Sequence, residues 1–81
     1  MRTTRKYVKR RAGKLPITVN AEIMSGTPVF TGTRVPVESL FTNLEGGVSL
    51  DDYLAAFPDV KREQAMAVLE YAQQSVLEAA A

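Results

Sequence analysis

Ser49-Leu50-Asp51-Asp52-Tyr53-Leu54-Ala55-Ala56-Phe57-Pro58-Asp59-Val60-Lys61-Arg62 decides the fold. Leu50, Tyr53, Leu54 and Phe57 fall at i, i+3, i+4 and i+7, the spacing of one apolar helix face. Ser49 is the natural N-cap, and Asp51 and Asp52 suit the positive end of the helix dipole. Pro58 stops this helix, because the residue before a proline is pushed out of helical angles. A new helix is predicted from Lys61 or Arg62 to Leu77 or beyond, with Ala65, Leu69, Ala72 and Val76 as its seam, widened by Met66 and Val68. Its opposite face carries Glu63, Ala67, Glu70, Gln74 and Glu78. Two helices joined only through Pro58-Asp59-Val60 are expected to cross steeply, as in a helix-turn-helix.

Upstream, Val37, Leu40, Phe41 and Leu44 repeat the helical spacing and predict a first helix from about Pro36 to Glu45. Gly46-Gly47 ends it, since a Gly just past the last turn takes the left-handed cap conformation. The stretch Gly26-Thr27-Pro28-Val29-Phe30-Thr31-Gly32-Thr33-Arg34-Val35-Pro36-Val37 reads as a shaped lead-in to that helix. Leu15–Val19 alternates apolar and polar residues and predicts a short strand, with Pro16 placing it at an edge. Pro28–Phe30 is a second short strand, broken by Thr31-Gly32. Asn20–Gly26 reads as a turn, or a brief helical turn capped by Asn20.

The chain has 81 residues, enough for one small domain, and its net charge of +1 hides an asymmetry. Residues 1–14 hold seven of the ten basic residues and no acid, whereas 15–81 hold three basic residues and all nine acids, a net of −6. The division expected is a basic arm, 1–14, and a helix-turn-helix domain, 15–81. A basic arm on an acidic body suits nucleic-acid contact. It also suits a solubilising leader, or an arm folded back onto its own acidic body.

Cys and His are both absent, which removes disulfides, thiolate metal sites and the usual general base. Asp51 and Asp52 diverge on a helix, and Glu63 and Glu70 lie about 10 Å apart along one. No convergent carboxylate cluster is therefore expected for metal-dependent chemistry. The expectation is a non-enzyme with no cofactor, metal or small-molecule substrate. No apolar run approaches the roughly 20 residues of a membrane span, and no h-region follows the basic N-terminus, so the cytoplasm is the expected location.

The stretch Met24–Val37, with its Gly-x-Pro-x-x-x-Gly-Thr-Arg core, resembles the opening signature of the domain-of-unknown-function family 433. Gly47, Ser49, Phe57-Pro58 and Ala67–Ala72 sit where that family's remaining motifs would fall, and the resemblance covers roughly Leu15 to Gln73. It implies a mainly α, homeodomain-like or winged-helix-like helix-turn-helix with a short N-terminal β element. It also implies a role similar to that of VapB-type antitoxins, beside a PIN-like nuclease toxin. Two features depart from the pattern. Lys61 stands where members tend to place Thr or Ser, leaving Asp59 to compensate as a cap, and residues 1–14 lie outside the shared region.

On this reading the third helix presents its N-terminal residues to the major groove. Arg62 would meet a guanine edge and Gln64 an adenine. The alternative is a solvated first turn, and Glu63 and Glu70 nearby repel phosphates. Arg34 suits a phosphate or a partner carboxylate, or else the loop carbonyls of the Gly32-Thr33 turn, which is the favoured role. Assigned to nucleic acid are Arg2, Arg5, Lys6, Lys9, Arg10, Arg11, Lys14, Arg34, Lys61, Arg62 and Gln64. Assigned to a protein partner are Val68, Tyr71, Val76 and Leu77, whose apolar surface exceeds what two short helices cover. The expected function is an antitoxin-like DNA-binding homodimer that neutralises a PIN-like nuclease. The alternative is a protein-interaction module without specific DNA binding, whose acidic third helix docks on a basic surface.

Overall fold

A computed structural model describes residues 15–80. In chain order it contains β1 (Ile17–Thr18), a 3-10-type turn (Met24–Gly26), β2 (Val29–Phe30), α1 (Glu38–Glu45), α2 (Leu50–Ala56) and α3 (Arg62–Ala80). This is the mainly α, three-helix architecture with a short β element that the periodicity predicts. Helix α2 ends at Ala56 and α3 begins only at Arg62, so no single rod runs through Pro58.

Both strands are shorter than the expected Leu15–Val19 and Pro28–Phe30, two residues each, but the β element makes one more connection than the sequence suggests. β1 pairs antiparallel with β2, with Ile17 opposite Phe30 and Thr18 opposite Val29. On its other side β2 meets the chain again, through an antiparallel bridge between Val29 and Pro36. The stretch Gly26–Val37 is thus a small hairpin. Phe30 N–H donates to Val35 O and Val37 N–H to Pro28 O, both at 3.0 Å. Gly32, at φ +83, supplies the positive φ of its four-residue turn, which Thr33 N–H closes on Phe30 O at 3.0 Å. Pro36 is consequently held in the hairpin, and α1 starts two residues later than the periodicity predicts.

Helix boundaries follow local chemistry. The Ser49 hydroxyl accepts from Asp52 N–H at 3.0 Å, the predicted N-cap. At the end of α1, Gly47 N–H donates to Leu44 O and Val48 N–H to Asn43 O, both at 3.0 Å, while Gly47 takes φ +96. These two bonds and the left-handed Gly form a Schellman motif. Asn20 caps a plain turn, its Oδ1 accepting from Glu22 N–H at 2.8 Å. The separate turn that follows has Met24, Ser25 and Gly26 at φ +51, +58 and +87.

The core is built from Phe30, Val37, Leu40, Tyr53, Val60, Ala65 and Val68. Tyr53 is fully buried, and its ring lies 4.8 Å from that of Phe57. Its hydroxyl is 2.7 Å from Ser39 Oγ, which itself donates to Pro36 O at 2.8 Å. A serine hydroxyl has one proton, so Tyr53 Oη is the donor to Ser39. That bond satisfies the buried phenol and joins α2 to α1.

The seam of α3 ends earlier than the periodicity implies. Ala65 and Val68 are buried and Leu69 and Ala72 half-buried, but Met66 and Val76 are exposed, as are residues 73–80 throughout. Val76 has the correct helical phase, yet the body does not extend far enough to cover it. Nor does this end pack on the β1 region: residues 73–80 are all exposed, and Val19 is itself 66% exposed.

Candidate interaction surface

The first turn of α3 and the tip of the β2–α1 hairpin are held together by one side chain. Gln64 Oε1 accepts from Lys61 N–H at 2.9 Å, and Gln64 Nε2 donates to Thr31 O at 3.0 Å. The first contact is half of a capping box, in which the third helical residue reaches back to the N-cap amide. It corrects the expectation for Asp59: the compensation for Lys61 comes from Gln64, inside the helix. The second contact spans 33 residues of sequence. Thr31 in turn donates its N–H to Pro16 O at 3.0 Å, so β1, the hairpin tip and α3 are joined in a row.

That row concentrates the positive charge of the body. The three basic residues of 15–81 are Arg34, Lys61 and Arg62. All three belong to the two segments that the Gln64–Thr31 hydrogen bond joins. Arg62 Nη2 donates to Asp51 Oδ1 in an ion pair between two exposed side chains, which contributes at most about 1 kcal/mol and is screened by salt. Lys61 and Arg34 are exposed and have no acidic partner among the described residues.

Arg34 does not fix its turn, contrary to the favoured expectation. Thr33 does so: its hydroxyl donates to Phe30 O at 2.8 Å and accepts from Val35 N–H at 3.0 Å. With the loop carbonyl satisfied from within, Arg34 is left exposed. Gln64 is in the opposite situation. Assigned to an adenine edge, its amide is engaged at both ends by the fold and would have to leave Lys61 and Thr31 to reach a base. Arg2, Arg5, Lys6, Lys9, Arg10, Arg11 and Lys14 lie outside the described residues.

The partner-binding assignment divides. Val68 is only 4% exposed and belongs to the core, three residues after buried Ala65 on the same face, so it is unavailable to a partner. Tyr71, Val76 and Leu77 are 53%, 66% and 57% exposed. Met66, expected in the seam, is 45% exposed and shares one surface face of α3 with Arg62, Glu63, Ala67 and Glu70. Ala67 provides the low floor between the ridges that its larger neighbours form. Among the described residues no group of three acidic side chains converges as a metal site, and no helix is long and apolar enough to cross a membrane.

Residues 17–72 match the family described as "Protein of unknown function (DUF433)". The chain belongs to this family. A DUF433 member protein from Anabaena variabilis ATCC 29413, known from a crystal structure, superposes with a TM-score of 0.65 at 25% identity, over 80% of this chain and 64% of that one. The "Uncharacterized protein y4eO" of Sinorhizobium fredii (strain NBRC 101917 / NGR234) is 34% identical over 61 residues, which is 75% of this chain. The chain spans 28% of that relative's length, so DUF433-like sequence also occurs within a much longer polypeptide.

Proposed function

We propose that this DUF433 chain is the antitoxin-like, DNA-binding member of a bacterial toxin–antitoxin pair, that it acts in the cytoplasm as a homodimer, and that it neutralises a PIN-like nuclease. The observation that supports DNA contact is the gathering of Arg34, Lys61 and Arg62 on two segments pinned by Gln64, on a chain whose first 14 residues hold seven more cations. Arg34 and Lys61 are the phosphate-contacting residues of the body. Arg62 joins them by exchanging Asp51 for a phosphate, and Gln64 holds the surface in shape. Such an arrangement grips the backbone more than it reads bases.

The test is fluorescence anisotropy with the chain's own upstream DNA and a random duplex at two salt concentrations. Each phosphate contact contributes a slope of about −0.9 in log K against log salt, so seven arm contacts contribute up to about −6. Replacing those seven residues by Gln is expected to remove most of the slope, while Arg34→Gln and Lys61→Gln remove about one unit each. Equal affinity for both duplexes would exclude sequence-specific autoregulation. No binding to either would exclude the DNA reading altogether.

A second reading is favoured by the exposed Tyr71, Val76 and Leu77: a non-enzymatic interaction module without specific DNA binding. Co-purification with the product of the neighbouring gene, lost in Val76→Glu or Leu77→Glu, supports it; a chain that ignores that neighbour counts against both a toxin partner and this reading.

A further inference from the structure

Arg62 opens α3 and Asp51 lies in the first turn of α2, 11 residues earlier, and their ion pair joins the two turns. The partners stand in opposite local fields. Asp51 sits where the positive end of the α2 dipole favours a carboxylate, so it stays well placed without Arg62. Arg62 sits at the positive end of α3, where a cation is disfavoured and an anion favoured. The Asp51 carboxylate therefore supplies the negative group that the head of α3 calls for.

Two other acids are neighbours in sequence, Asp52 beside Asp51 and Glu63 beside Arg62. Among the described residues neither forms an ion pair. The Asp51–Arg62 pair is open to solvent, with the side chains 79% and 57% exposed, so an external anion reaches the guanidinium directly. A carboxylate and a phosphate diester each offer two oxygens sharing one negative charge, and the guanidinium fork accepts both by the same geometry. Asp51 thus stands where a DNA phosphate would stand.

We infer that Asp51 is an internal competitor for the phosphate at Arg62, and that it limits the affinity of the body for DNA. This rests on the DNA reading and goes beyond it, because it assigns an opposing role to a residue of α2. Binding exchanges one anion for another, so Arg62 contributes only the difference between them. Lys61 and Arg34, with no acidic partner among the described residues, contribute their phosphate contacts in full. Exposed ion pairs are weak, which limits the direct competition to about fivefold in affinity.

Fluorescence anisotropy of the full chain with a random duplex tests the competition as a double-mutant cycle at low salt, where the pairs are least screened. Asp51→Asn and the control Asp52→Asn each remove one charge from the same exposed helical turn, but only Asp51 contacts Arg62. Asp51→Asn is expected to raise affinity about two- to fivefold more than Asp52→Asn does. With Arg62→Gln in the background that excess should vanish. Equal gains from the two variants, or an excess that survives Arg62→Gln, would overturn the competition and leave the DNA reading standing. No duplex binding by either the wild type or Asp51→Asn would remove both.

Discussion

Gln64→Ala separates a structural amide from a base-reading one. The substitution deletes two hydrogen bonds, to Lys61 N–H at 2.9 Å and to Thr31 O at 3.0 Å. Each contributes about 0.5 to 1.5 kcal/mol, and both lie near water, so a combined loss of about 1 to 2 kcal/mol is expected. A chain of this size has a total stability of roughly 4 to 12 kcal/mol, so the loss is a sizeable fraction. At about 4 to 8 °C per kcal/mol it lowers Tm by roughly 5 to 15 °C. Gln64→Glu retains the acceptor for Lys61 N–H and adds a favourable charge at the helix N-terminus, but it places a carboxylate against Thr31 O. Its Tm should fall between those of wild type and Gln64→Ala. Thermal melts by circular dichroism give the stabilities, and anisotropy on a panel of duplexes differing at single base pairs gives the readout. The expectation is a stability loss with affinity reduced evenly across the panel. An unchanged Tm together with a switched preference at one base pair would refute the reasoning, because the amide would then belong to DNA.

Three further perturbations test the fold and its exposed end. Ser39→Ala strands the buried Tyr53 hydroxyl and should cost about 1 to 3 kcal/mol, more than the roughly 0.5 to 1.5 for Tyr53→Phe, in urea titrations. A larger loss for Tyr53→Phe would reverse the donor assignment. Gly47→Ala should cost about 1 to 2 kcal/mol, because φ is +96 although nothing lies within 4 Å of the added Cβ. The adjacent Gly46→Ala, with only ordinary contacts to Thr42 O and Asn43 O, should be neutral or stabilising by up to about 1 kcal/mol in the same assay. Val76→Glu should leave stability within about 0.5 kcal/mol, since the residue is 66% exposed, while reducing self-association in sedimentation velocity. Unchanged association would place any dimer interface elsewhere.

What the residues reveal on inspection is local. The apolar stripes of α1 and α2, the Ser49 cap, the Gly47 stop and the Pro58 break all depend on neighbours within a few positions, and each is present as predicted. What they conceal is distant. The Gln64–Thr31 bond and the return of Val35–Val37 onto Pro28–Phe30 depend on where separate segments meet, which periodicity does not encode. Val76 shows a related limit: helical phase identifies a face but not the point where the body beneath it ends. Excess apolar surface assigns Val68 to a partner, whereas its phase relative to Ala65 places it inward. Arg34 suits loop carbonyls by its chemistry, but Thr33 is the nearer donor and takes that place. The candidate surface was therefore legible as residue types and illegible as a constellation.

Met24, Ser25 and Gly26 wind their backbone with the opposite hand to an ordinary helix. Only the last of them is achiral, so the first two each bear a cost of about 1 to 2 kcal/mol that a mirror-image amino acid would not incur. A chemically synthesised chain with D-alanine at position 25 should accordingly resist heat better than the natural one, whereas L-alanine there should not. The turn ahead of β2 thus contains a site where chirality itself, and not side-chain chemistry, sets which monomer fits.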